Sequence, residues 1–102
     1  MTRHPVCPSQ ELEPGDVTDV VIDGRTLAVF RLRGGLYATD GLCTHEQAPL
    51  ADGLVMDDIV ECPKHNARYH IPSGKAVRKP AKSDLTTYRA FELDGQVYVE
   101  VT

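Results

Sequence analysis

Short apolar runs rich in β-branched residues, each cut off by a glycine-containing turn, set the pattern of this chain. Residues 17–22 alternate only loosely between apolar and polar but include three valines and an isoleucine. Asp23-Gly24 follows, and then residues 26–32, where Leu27 and Val29 alternate with Ala28 and Phe30. An Asp-Gly pair between two such runs is a two-residue hairpin signal, because the tight turn needs positive φ at both central positions. Gly34-Gly35 then leads into residues 36–39, so this part predicts a three-stranded meander. Residues 87–93 and 96–101 flank Asp94-Gly95 and repeat the hairpin logic. No window has helical periodicity. Residues 9–12 offer a single turn before Pro14-Gly15-Asp16 breaks it.

The middle of the chain differs in character. From about residue 41 to 80 it is rich in glycine and proline, and its only strand candidates are short, at 59–61 and 68–71. This stretch reads as an insertion between the strands of the outer sheets. The expected fold is therefore all-β: a small antiparallel β-sandwich or partly open barrel, with an inserted loop-rich subdomain. One domain spans 1–102, with a basal part at 1–40 and 81–102 and the insertion at about 41–80.

Composition bounds the rest. A chain of 102 residues with 41% hydrophobic positions supports one core rather than two independent ones. Tryptophan is absent, so valine, leucine and isoleucine must do most of the packing. The net charge of −4 argues against nucleic acid and against an anionic membrane surface as partners. Taken over the whole molecule, it suits basic docking patches on protein partners. Residues 1–10 contain no apolar core of a secretory signal, and no stretch is long enough to span a bilayer. Three cysteines, an odd number, fit a reducing compartment such as the cytoplasm better than a disulfide scaffold.

The insertion carries the chemistry. Cys43-Thr44-His45 is followed, after sixteen intervening residues, by Cys62-Pro63-Lys64-His65. Each half offers one thiolate and one imidazole. That mixed set suits a [2Fe–2S] cluster in which two histidines replace two cysteines on one iron. The cysteines would hold one iron and the histidines the other. Replacing two thiolates by neutral ligands removes negative charge and raises the potential to roughly −150 to +300 mV. Structural zinc is the competing use of two cysteines and two histidines. Its pairs usually have wider spacing than the single residue between Cys43 and His45. Such a chain would be a zinc-stabilised interaction module.

Through C-T-H and C-P-K-H the chain resembles the Rieske proteins, and within them the ferredoxins of bacterial ring-hydroxylating dioxygenase systems. The resemblance extends to residues 37–42, 51–53 and 59–61, and to 73–75, 79–80 and 85–88. It implies a monomeric electron carrier, not itself an enzyme, that takes electrons from a flavin-dependent ferredoxin reductase. The terminal oxygenase of an aromatic-compound pathway would receive them. A small Rieske subunit of another oxidoreductase, such as a nitrite reductase, is the alternative. The resemblance also implies that the loop around Pro80 covers the cluster from a third side. Residues 46–50 and 63–64 lack the extra cysteines that form a disulfide in respiratory Rieske proteins. High-potential members have a serine where this chain has Ala67, and a tyrosine where it has Tyr69. The expected potential is in the negative part of the Rieske range, nudged upward if the Tyr69 hydroxyl reaches a cysteine sulfur. Asn66 stands where glycine is common, with no evident consequence from sequence.

Other candidates have plainer readings. Cys7 and His4 read as ordinary residues, with Cys7 on an edge strand, and His70 reads as a surface or hydrogen-bonded histidine. Lys64, Lys75, Arg78, Lys79 and Lys82 gather near the second motif half, with Asp52, Asp57, Asp58 and Glu61 nearby in sequence. Sequence leaves open which sign dominates the tip.

Overall fold

A computed structural model describes residues 1–44, 46–64 and 66–101. The basal part is a six-stranded antiparallel sheet in the order β1-β10-β9-β4-β3-β2. Its strands are β1 (Thr2–Pro8), β2 (Val17–Ile22), β3 (Arg25–Leu32), β4 (Gly35–Asp40), β9 (Thr87–Leu93) and β10 (Gln96–Val101). Between β4 and β9 lies a second, four-stranded sheet: β5 (Leu54–Met56), β6 (Ile59–Glu61), β7 (Arg68–His70) and β8 (Ala76–Arg78), paired in that order. A 3₁₀ turn at Ser9–Glu11 is the single helical turn expected near the amino terminus, and Leu50–Asp52 forms another.

Both Asp-Gly pairs form the tight turns expected of them. Asp23 and Gly24 have φ of 51° and 79°, and Asp94 and Gly95 have 52° and 79°. The first closes β2 on β3 with Ile22 opposite Arg25, the second β9 on β10 with Leu93 opposite Gln96. Cys7 lies on β1, an edge strand, as expected. β5 and β8 were not foreseen. Each is three residues long and gains its strand character only by pairing with β6 or β7.

The expectation of one core needs correction, and β3 shows why. Both of its faces are buried. Leu27 and Val29 pack with Leu12, Ile22, Ala38, Val97, Val99 and Val101. Ala28, Phe30 and Leu32 point the other way, into a cluster with Leu50, Val60, Tyr69, Ile71 and Leu85. One strand thus serves two apolar clusters, so a modest apolar content supports both. Cys43 and Cys62 belong to the second cluster. The site is therefore anchored on the basal sheet.

Arg31 ties the 3₁₀ turn to the sheet. Its guanidinium donates to the carbonyls of Leu12 and Ser9 and forms a two-pronged ion pair with Glu92, at 2.9 and 3.1 Å. Because Glu92 is exposed, the carbonyl bonds carry most of the effect. Arg31→Met is expected to lower stability by roughly 1–3 kcal/mol. Glu92→Gln should cost well under half of that. Urea denaturation of the two variants checks the ranking.

Candidate metal centre

The two motif halves fold into matching loops. The Cys43 N–H donates to the Ala48 carbonyl at 2.8 Å, and the Cys62 N–H to the Ala67 carbonyl at 2.7 Å. Each loop therefore closes five residues after it opens, with the cysteine at its start. The residue before the closing alanine has positive φ in both, 55° at Gln47 and 59° at Asn66. Asparagine tolerates the left-handed region better than most residues. This is the physical account of Asn66: it fills the position that needs glycine-like backbone. The first loop sits between β4 and the Leu50–Asp52 turn, the second between β6 and β7. Glycine at position 53 is required here, since a Cβ there would lie 2.2 Å from the Glu61 carbonyl oxygen. That close approach seats the end of the first loop segment against the strand that enters the second.

Both cysteines are buried, Cys43 at 0% and Cys62 at 1% exposure, and their thiols hydrogen-bond to each other. None of the three cysteines is in a disulfide. Burial pushes the Cys62 thiol up to about 11, with the neighbouring Cys43 adding to it, while the Lys64 N–H, 3.4 Å from the sulfur, opposes it. The metal-free protein thus holds Cys62 protonated at neutral pH. Binding of a metal there must release that proton.

His45 and His65 lie outside the described residues. Among the described residues, no three Cys, His, Asp or Glu side chains form a metal-holding group. The fold brings the two cysteines together and supplies half of the expected ligand set.

Tyr69 links the loops. Its ring is fully buried and its hydroxyl is 3.2 Å from the Cys43 sulfur, 3.0 Å from the Thr44 N–H and 2.8 Å from the Thr44 hydroxyl. Thr44 Oγ1 in turn accepts from the Lys82 N–H at 3.2 Å and the Ser83 N–H at 3.5 Å. Residues 82–83, just past Pro80, therefore rest on the first loop as a third wall. Thr44 was missed in the sequence reading. The available signal was its position between Cys43 and His45, where a hydroxyl has only the site to serve.

The proton count favours one arrangement. The Thr44 O–H has two acceptors in reach, the phenol oxygen at 2.8 Å and the Ser83 carbonyl at 3.3 Å. When it takes the shorter bond, with the Thr44 N–H donating to the same phenol oxygen, the Tyr69 proton is free to go to a thiolate at Cys43. A donor to sulfur stabilises the more negative, reduced state of an iron–sulfur site. If that bond is about 1 kcal/mol stronger on reduction, Tyr69→Phe lowers the midpoint potential by roughly 40 mV. Protein-film voltammetry reads this shift. An unchanged potential would mean that the proton goes to Thr44 instead.

The remaining candidates fall elsewhere. Cys7 packs against the other core cluster, and burial raises its thiol pKa. His70 is hydrogen-bonded, with Nδ1 2.7 Å from Ser73 Oγ and Nε2 3.0 Å from Asp58 Oδ2. His4 Nε2 meets the Thr2 hydroxyl at 3.0 Å on the edge strand.

Two matching loops that carry buried, paired cysteines, set on a small all-β base, make the frame of a metal centre held between two loops. The chain belongs to the Rieske [2Fe–2S] domain family, whose profile matches residues 2–89. It is 37% identical over 86 residues to the ferredoxin component of the naphthalene 1,2-dioxygenase system of Pseudomonas aeruginosa. That match covers 84% of this chain and 82% of the relative. It is 35% identical over 103 residues to the 3-phenylpropionate/cinnamic acid dioxygenase ferredoxin subunit of Photorhabdus laumondii, covering 100% and 97%. Among solved structures it resembles a chain from the complex of reduced oxygenase and oxidised ferredoxin in carbazole 1,9a-dioxygenase. There the TM-score is 0.89 at 32% identity, covering 95% of this chain and 91% of that one. The cofactor is one [2Fe–2S] cluster, and the zinc alternative falls with that finding. The relatives are ferredoxin components, electron carriers rather than catalysts. No helix among the described residues is long and apolar enough to cross a membrane.

Proposed function

We propose that this protein is the ferredoxin component of an aromatic-ring dioxygenase system. It carries single electrons from a flavin-dependent reductase to a terminal oxygenase, in the reducing cytoplasm. Cys43 and Cys62 hold one iron and His45 and His65 the other. The observation that carries this reading is the pair of mirrored loops that bring Cys43 and Cys62 together in a buried, hydrogen-bonded pair.

The cluster, when bound, supplies one reversible electron at a potential set by its mixed ligands. The chain's own residues set the conditions for it. Val60, Leu50, Phe30 and the other apolar neighbours keep water from the cysteines. Thr44 and Tyr69 fix the first loop relative to residues 82–83. The Tyr69 hydroxyl and the Lys64 N–H direct hydrogen-bond donors at the two sulfurs.

Low-temperature EPR of the dithionite-reduced protein tests the assignment. The expected spectrum has an average g below that of all-cysteine clusters, as mixed nitrogen and sulfur ligation requires. An all-sulfur spectrum, or a colourless protein containing zinc, would reject the ligand assignment. Electron delivery is read separately, by reconstituting turnover with a reductase and an aromatic-ring oxygenase.

A further inference from the structure

Charge is strongly segregated along this chain. Residues 62–82 contain six lysines and arginines and no aspartate or glutamate, a formal +6 in a protein whose net charge is −4. The remaining residues therefore carry −10. All four lysines of the protein lie in this stretch.

Folding brings both ends of the stretch to the cysteine loops. The Lys64 backbone N–H points at the Cys62 sulfur, and the Lys82 backbone N–H donates to Thr44, the neighbour of Cys43. The side chains of Lys64, Lys79 and Lys82 are exposed, and so are Pro63 and Pro80 beside them. Among the described residues, no ion pair involves a lysine.

The acidic groups in and just after the insertion are hydrogen-bonded or lie elsewhere. Glu61 pairs with Arg68 at 2.7 Å, and Asp58 is held by His70. Asp84 accepts the Ala76 N–H at 2.8 Å. Asp52 and Asp57 flank β5, the edge of the small sheet opposite β8. Exposed Glu46, in the first loop, is near enough to raise the Cys62 thiol, so one carboxylate shares this end of the molecule with the lysines. The small sheet is thus acidic at its β5 edge and basic at its β8 edge.

We propose that the face through which this protein exchanges electrons is positive. Lys64, Lys79 and Lys82 frame Pro63 and Pro80 there, and the face docks on a carboxylate-rich surface of its redox-protein partner. This rests on the electron-carrier reading above and adds the chemistry of the partner. Net charge alone points to the opposite partner, a basic one. Local charge decides, because fields are screened within about 10 Å at 0.1 M salt and a docking patch is only about 800 Å² per side. Apolar prolines ringed by lysines also match the usual build of an interface, with an apolar centre and a charged rim.

Small charged oxidants of opposite sign test the field at this face. Reduced holoprotein is mixed in a stopped-flow instrument with ferricyanide or with hexaamminecobalt(III), each of which accepts one electron from it. Between ~0.01 and ~1 M salt the ferricyanide rate should fall roughly ten-fold, and the hexaamminecobalt(III) rate should rise. Lys64→Glu/Lys82→Glu should invert both trends. Arg3→Glu/Arg33→Glu changes the net charge equally, on β1 and at the far end of the β3–β4 hairpin, and should leave them in place. A ferricyanide rate that climbs with salt in the unsubstituted protein would overturn the proposal. So would equal effects of the two double substitutions. The EPR signal of the reduced starting material reports independently on the carrier reading.

Discussion

Cys62→Ser is expected to abolish the visible absorption of the protein and to remove both irons, while Cys7→Ser should leave the colour intact. Serine keeps the volume of the side chain, so the comparison separates ligation from packing. Cys62 is 1% exposed and lies against Cys43 at the head of the second loop. Cys7 sits on an edge strand against the other core cluster and has no part in the site. The stability loss should also be large. The binding free energy of the cluster is folding free energy, and it joins a loop that follows β4 of the basal sheet to one that connects β6 and β7 of the small sheet. A domain of this size shifts by roughly 4–8 °C per kcal/mol, so a fall in Tm of at least about 10 °C is expected. Iron analysis and a thermal melt give both readouts. Full iron occupancy in Cys62→Ser would remove this cysteine from the ligand set.

The second large effect is structural and lies outside the loops. Gly74→Ala should destabilise the protein by roughly 2–5 kcal/mol, from two additive causes. Gly74 has φ of +75°, where an L side chain costs about 1–2 kcal/mol. An added Cβ would also lie 2.2 Å from the Leu85 carbonyl oxygen and 3.1 Å from Thr87 Cγ2, which forces the backbone apart. The contact matters because Leu85 belongs to the cluster that holds Cys43 and Cys62, and its N–H donates to the Gly74 carbonyl at 2.7 Å. Gly95→Ala is the control. It shares the positive φ, 79°, but nothing lies within 4 Å of its Cβ position. The difference between the two variants in chemical denaturation isolates the close approach. Equal losses would mean that the turn at Gly74 gives way freely.

Some features were legible in the linear chain because their causes are local. The Asp-Gly turns need positive φ at two adjacent residues, and that requirement travels with the residues themselves. The pairing of Cys43 with Cys62 was legible for a similar reason: each opens a motif half whose chemistry is written in residue type and short spacing. β1, β5 and β8 were less visible, since a three-residue strand such as β5 exists only through its partner.

Residue types and their spacing were enough to establish the all-β class, the hairpins and the Rieske family of the chain, since each depends on a few neighbouring positions. Three-dimensional packing settled the rest. It turned β3 into a wall between two cores, directed the Tyr69 hydroxyl at the Cys43 sulfur, and laid Lys82 against Thr44. It also separated the acidic from the basic edge of the small sheet. Such contacts join residues 26 and 38 positions apart, and only chain folding determines which distant groups share a few ångströms.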